Sequence, residues 1–270
     1  MALLVRCPAK INTFLSVGPP DAKGWHPLRS IFQAIDLCDE LLIEVASKDE
    51  VVSDAEWLPS ENTLTKALAA ARKVLFFPPL RVALRKRIPA QSGLGGGSSD
   101  AAGLLRAIRK LTEQNVDWIS VAASIGADVP FFLVGGKASA EGYGEVLTPL
   151  PDDNERLMLV AKPSVGCSTP EMFKRLDQAP REWRDFAEDD ALYNDFLAIA
   201  PAECRSLRDH LIAFGALDAG LTGSGSAVFG FFEDHTSALT GAELAKQLPG
   251  IETWPTRTLT REESLEMREI

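Results

Sequence analysis

Apolar and polar positions along the chain mark out its elements before any single residue is considered. The opening stretch LLVRCPAKINTFLSVG, residues 3–18, is extended in character. Pro8 predicts a break in it, because proline has no N–H to give a strand ladder. A loop, PPDAKGWHPLRS, separates it from IFQAIDLCDELLIEVA, residues 31–46, whose β-branched and apolar residues predict one or two strands. ENTLTKALAAARKVLF, residues 61–76, predicts a capped helix stopped by Pro78 and Pro79. LRVALRKRI alternates Val82, Leu84 and Lys86 against Arg81, Ala83, Arg85 and Arg87, which is the period of a strand, and this extended run is expected to end at Pro89. SDAAGLLRAIRKL then places Leu104, Leu105, Ile108 and Leu111 on one face of a helix, with Ser98 or Ser99 as the expected N-cap.

Near residue 150 a polar loop, PLPDDNER, gives way to a fresh strand, LMLVAKPS, and the spacing predicts a domain boundary there, dividing 1–150 from 151–270. The second half reads as a strand, then PSVGCSTPEMF with Thr169 capping a helix and Pro170 at its first position. An acid-rich helical region is expected over Pro180 to Arg208, then the turn GLTGSGSAVFGFF, a helix and a strand. No repeat of fixed period and no low-complexity tract interrupts this order.

One stretch stands apart from the apolar pattern. In KRIPAQSGLGGGSSDAAGLLRAI, residues 86–108, a glycine loop lies between an extended segment and a helix N-terminus. Gly/Ser-rich runs are often flexible linkers. Strand, loop and helix start in immediate succession favour instead a cradle for phosphate, in which bare backbone N–H groups and the positive end of the helix dipole meet an anion. No lysine follows the glycines as a Walker loop requires, and the sixth residue from Gly93 or from Gly95 is Ser98 or Asp100, where a dinucleotide fingerprint needs glycine. HRD, DFG and G-x-S-x-G are absent from the chain. The loop therefore belongs to another phosphate-binding scheme.

Composition narrows the partners. Of the 270 residues, 46% are hydrophobic and 24% charged, and the net charge is −10, which argues against a general affinity for nucleic acid or an acidic membrane. No run is long enough for a membrane span, and the first ten residues lack the apolar core of a signal peptide. Cys7, Cys38, Cys167 and Cys204 are scattered, as are His26, His210 and His235, so neither a zinc site nor a disulfide framework is expected. A reducing cytoplasm is the expected compartment.

The string PAQSGLGGGSSDAA, residues 89–102, resembles the phosphate loop of the GHMP kinases. PAKINTFLSVG (8–18), GWHPLRSIFQAIDLCDEL (24–41), GADVPFFLVGGKASAEGYGEVLTPL (126–150) and GLTGSGSAVFG (220–230) are similar, in order and spacing, to one branch of that family. That branch phosphorylates 4-diphosphocytidyl-2-C-methylerythritol with ATP in the non-mevalonate isoprenoid pathway. The resemblance implies a two-domain α+β kinase whose C-terminal unit is ferredoxin-like, with ATP and substrate in the cleft between the domains. It implies that Pro89, Ala90, Gln91, Ser92, Gly93, Leu94, Gly95, Gly96, Gly97, Ser98 and Ser99 hold ATP, with Mg²⁺ on its phosphates, and that Lys10 and Asp128 are the catalytic pair. Asn12, two residues beyond Lys10, shares its face of a strand; it either contacts substrate, fixes the lysine, or is a local polar cap. Trp25 and His26 are candidates for stacking on and hydrogen-bonding to a cytosine ring, where the family more often has tyrosine in DGYH; their alternative is to cover apolar surface. For the other face of the base, ALYNDF offers Leu192, Tyr193 and Phe196. Two other functions remain open at this stage: another small-alcohol kinase of the family, or a binding protein of the same fold without catalysis.

Overall fold

The structure is a computed structural model that describes residues 2–270 except 113, 115, 154 and 187–190. In chain order its elements are β1 (Ala2–Val17), β2 (Leu28–Val45), β3 (Glu50–Ser53), α1 (Thr63–Val74), β4 (Leu80–Arg85), α2 (Gly96–Thr112), α3 (Trp118–Ala123), α4 (Phe131–Val134), β5 (Lys137–Glu141) and β6 (Val146–Leu150). They continue with β7 (Leu157–Pro163), α5 (Thr169–Leu176), β8 (Tyr193–Asn194), a 3₁₀ turn (Asp195–Ile199), α6 (Ala202–Ala213), β9 (Asp218–Leu221), β10 (Val228–Phe232), α7 (His235–Lys246), β11 (Ile251–Arg257), α8 (Arg261–Ser264) and β12 (Met267–Glu269).

Two sheets pack face to face. The first runs β12-β1-β2-β4-β3, with β5 and β6 continuing from β2 and β8 beside β1; the second runs β11-β7-β10-β9. Around the second sheet the chain passes β7, α6, β9, β10, α7, β11, and this βαββαβ order with the fourth strand beside the first is the ferredoxin-like arrangement. Ala9, Ile11, Ile35, Leu94, Val160, Phe229 and Phe231 fill the space between the sheets. α1 and α2 cover the outer face of the first sheet through Leu64, Leu68, Leu104, Leu105 and Ile108. α6 and α7 cover that of the second through Leu207, Leu211, Ala238 and Ala242. With both faces of the second sheet covered, β10 reads VFGFF and buries every residue, which is why it shows no alternation.

Five expectations change in the folded chain. Pro8 does not end the first strand: β1 passes through it, and the β1–β2 register slips there from Pro8 opposite Cys38 to Ala9 opposite Ile35. The two extra residues, Asp36 and Leu37, form a bulge that accommodates the missing N–H. β4 ends at Arg85, short of Pro89. α2 begins at Gly96, so Ser98 and Ser99 lie inside its first turns and neither is the cap. α5 has Ser168 in the cap position, and Thr169 turns its hydroxyl to Ser224 at 3.0 Å. Of the helical region expected over Pro180–Arg208, only the part from Ala202 onward is α-helix; residues 180–186 lack regular structure, and 187–190 lie outside the described residues. The capped helix is α1, where Asn62 accepts from the Leu64 and Thr65 N–H groups and the Thr65 hydroxyl returns to the cap.

Candidate functional site

Where the two sheets meet, a cavity of about 460 Å³ opens. The glycine loop forms its floor. Gly93 and Gly95 have φ of +76° and +75°, a region costly for any side chain. A Cβ on Gly93 would sit 2.2 Å from the Thr222 carbonyl oxygen, and one on Gly95 would meet Phe132 at 2.9 Å and Lys10 Cγ at 3.3 Å. The glycines thus let the loop lie directly on a second glycine turn, residues 222–226. The turns are joined by Ala227 N–H to Ser92 O (3.1 Å), Ser226 N–H to Gln91 O (3.3 Å) and the Thr222 hydroxyl to Gly93 O (3.2 Å). Lys10 N–H donates to Leu94 O at 3.0 Å and ties the loop to β1. α2 then starts at Gly96, and Gly96, Gly97 and Ser98 of its first turn, whose N–H groups have no helix carbonyl to meet, line the cavity.

β1 carries Lys10 into this cavity at 3% exposure. Asn12 holds it: the Asn12 amide oxygen accepts from Lys10 Nζ (2.7 Å) and Gly223 N–H (2.9 Å), while its Nδ2 donates to Ser30 Oγ (2.7 Å). Of the open roles for Asn12, fixing the lysine is the one this geometry supplies. Asp128 lies in the turn before α4, where its carboxylate stands 3.8 Å from Lys10 Nζ and is 37% exposed. Burial pushes the Lys10 pKa down, and Asp128 opposes that shift. The Phe32 ring centroid, 5.3 Å from Nζ, adds a cation–π contact.

The far wall comes from the second half of the chain. Thr169, Phe173, Phe196, Gly223 and Ser224 line it, with Phe196 packed edge-on behind Phe173 at 5.0 Å. His26 lies against Phe173 with ring centroids 5.0 Å apart, and its Nδ1 is 3.0 Å from Gly18 O. Trp25 is not brought to the cavity: it is 63% exposed, beside Tyr143. Leu192 and Tyr193 also stay outside the cavity lining, and the Tyr193 hydroxyl donates to Asp195. The structure therefore gathers Lys10, Asn12, Asp128 and most of the loop from Pro89 to Ser98 in one cavity, and leaves Trp25, His26, Leu94 and Ser99 out of its lining.

Sequence reasoning passed over Phe173 and a buried ionic cluster. Phe173 follows Thr169 by four residues, the spacing that puts two helical side chains on one face, and that was the available signal. The cluster joins Lys86 Nζ to Asp39 (2.5 Å) and Asp100 (3.0 Å) under the start of α2. Its signal was a lysine in register with Val82 and Leu84 on the buried face of a strand pattern. Among the described residues no group of three or more His, Cys, Asp or Glu is gathered as for a metal ion, and no helix is long and apolar enough to cross a membrane.

Comparison with known proteins gives the family. The GHMP kinase N-terminal domain family matches residues 62–136, and the GHMP kinase C-terminal family matches residues 178–247. A 4-diphosphocytidyl-2-C-methyl-D-erythritol kinase from a Polaromonas species is 38% identical over 257 residues, covering 83% of this chain and 82% of that protein. The protein of the same name from Geobacter sulfurreducens is 35% identical, covering 90% and 95%. A crystal structure of 4-(cytidine 5'-diphospho)-2C-methyl-D-erythritol kinase superposes with a TM-score of 0.81 at 30% identity, over 94% of this chain and 98% of that one. Homoserine kinase from Cytophaga hutchinsonii, at 17% identity and a TM-score of 0.73 over 99% and 97% of the two chains, shares the fold. With relatives of this likeness over most of its length, the chain belongs to the 4-diphosphocytidyl-2-C-methyl-D-erythritol kinase family of GHMP kinases.

Proposed function

We propose that this chain transfers the γ-phosphoryl group of Mg-ATP to the 2-hydroxyl of 4-diphosphocytidyl-2-C-methyl-D-erythritol, releasing ADP. The observation that carries the proposal is buried Lys10 paired with the part-exposed Asp128 beside a glycine loop and a helix N-terminus, in a chain whose relatives bear that enzyme's name. The triphosphate lies along Gly95–Ser98 at the start of α2, where backbone N–H groups meet it and Lys10 lines the same cavity. Mg²⁺ enters as part of the Mg-ATP substrate. The reacting γ-phosphate belongs beside Lys10, and Trp57 and Leu58, which also line the cavity, are the apolar partners proposed for the nucleobase.

Phosphoryl transfer asks the protein mainly for position and charge. Lys10, held by Asn12, neutralises the charge that develops on the transferring group. Asp128 accepts the hydrogen bond of the attacking hydroxyl and takes its proton as the new P–O bond forms and the bond to the β,γ-bridging oxygen breaks. For the cytosine end, Phe173 supplies the flat apolar partner, and His26, with Nδ1 on Gly18 O and Nε2 3.4 Å from Asp177, backs that ring. Trp25 is a candidate for the same ring only if its loop moves inward. The four cysteines are free thiols, which suits a reducing cytoplasm.

The test is ADP release from Mg-ATP with and without 4-diphosphocytidyl-2-C-methyl-D-erythritol, with mevalonate, homoserine and galactose in parallel. Turnover with the cytidyl substrate alone, lost in Asp128→Asn, is the expected result. Turnover with another alcohol instead would overturn the substrate assignment, and turnover undiminished in the variant would overturn the role of Asp128.

A further inference from the structure

The Lys86 cluster brings two carboxyl groups and one ammonium group together under the phosphate loop, with almost no access to water. Asp39 is fully buried and saturated: one oxygen accepts Arg87 N–H (2.5 Å) and Ile88 N–H (2.8 Å), and the other accepts Lys86 Nζ. Asp100 is buried too, yet only Oδ2 meets Lys86, while Oδ1 has no partner. Ionising both acids beside one lysine would leave an uncompensated negative charge in a site of low dielectric. The count of donors decides where the neutralising proton goes, because Asp39 has three donors and Asp100 has one.

We infer that Asp100 is a positioning residue for ATP: protonated, it keeps the Lys86–Asp39–Asp100 cluster neutral beneath the start of α2, and loss of that proton weakens ATP binding without changing the transfer step. The inference rests on the reading that the glycine loop holds the triphosphate. Lys86 Nζ lies 3.1 Å from where a Cβ on Gly96 would stand, so the cluster touches the first residue of the helix that receives the phosphates. A net negative charge there opposes both the helix dipole and the incoming polyanion.

The groups facing Asp100 are Cys7 from β1, Asp39 from β2 and Lys86 from the segment after β4; Arg106, further along α2, faces Cys7. α1, α3 and α4, the other helices against α2, share an apolar core with it through Leu64, Val121 and Phe132. Burial, then the Asp39 charge, push the Asp100 carboxyl up to about 8, against the pull of Lys86. Burial works against the Lys86 charge, but Asp100 and Asp39 outweigh it and raise its pKa, so the lysine stays charged while Asp100 titrates.

The experiment follows KM for ATP and kcat from pH 7 to pH 9 in the wild type and in Asp100→Asn. With a titration near 8, KM in the wild type should rise about tenfold over that range while kcat does not follow it, and the rise should vanish in the variant. A purely structural role would lower stability or kcat without removing a pH limb. Should the variant fold poorly, the carboxyl carbon of Asp100 in ¹³C-labelled wild type gives the same answer by NMR. It should titrate near 8 in the free protein and move to higher pH with a non-hydrolysable Mg-ATP analogue bound. The Gly95 and Gly96 amide resonances separate the two readings. If the analogue leaves them unmoved, the loop assignment fails; if they move and the Asp100 titration does not, the inference is overturned. An Asp100 carboxyl that is ionised throughout, or a KM that rises equally in both proteins, also overturns it.

Discussion

Gly93→Ala tests the junction on which the site is built. Gly93 combines a left-handed backbone, φ +76°, with a neighbour that cannot retreat, since the added Cβ would lie 2.2 Å from the Thr222 carbonyl oxygen. The left-handed conformation costs an alanine about 1 kcal/mol. Relieving the overlap means parting the two glycine turns, which breaks Ala227 N–H to Ser92 O and Thr222 Oγ1–H to Gly93 O, each about 1 kcal/mol net. The sum is about 3 kcal/mol, or roughly 6–12 °C in melting temperature for a chain of this size. Gly24→Ala is the control: its φ is +78°, but a Cβ there meets nothing within 4 Å, so it should lose only about 1 kcal/mol. Thermal unfolding of both variants isolates the backbone collision from the φ cost. Gly93→Ala should also lose about a hundredfold in ADP release, because the displaced turn carries Gly223 on Asn12 and Ser224 in the cavity wall. Equal melting temperatures for the two variants would refute the close approach of the turns.

Lys10→Met should abolish turnover, by about a thousandfold, while raising stability at pH 7. Burial holds the Lys10 pKa below 10.5, so charging it costs the fold at every pH below its folded pKa, and the gain from Lys10→Met should shrink as pH rises from there toward 10.5; denaturant midpoints across pH follow this. Glu263 is pulled down to about 2, first by its hydrogen bond from Arg257 and then by Thr260 N–H. Its contribution should be full above pH 4.5 and lost as pH falls toward 2, so the wild type's advantage over Glu263→Gln should fade in acid titrations across that window. Gly103→Ala in α2 should cost about 1–3 kcal/mol by overpacking, since its Cβ would stand 2.4 Å from Cys7 Sγ, and Cys7→Ala in the same chain should recover part of the loss in a double-mutant cycle.

Local sequence determined the features that depend on near neighbours. Asn62 three residues before Thr65 makes the α1 cap, the alternation of LRVALR makes a strand with one buried face, and the glycines between strand and helix make the left-handed turns that lead into α2. Pro8 shows where that legibility stopped, because a proline can be absorbed when the partner strand bulges, and the bulge lies far along the chain, at Asp36 and Leu37 of β2. Tertiary structure alone decided which turn lies against which. Gly93 meets Thr222 across 129 positions, Asn12 meets Gly223 across 211, and Lys10 meets Asp128, because two sheets close on one another over Ile11, Val160 and Phe229. It also decided burial, which turned Lys86, Asp39 and Asp100 from three ordinary charged letters into one buried cluster of two carboxyls on one ammonium. Charge type is written in the sequence, but the dielectric around it is set by the folded chain.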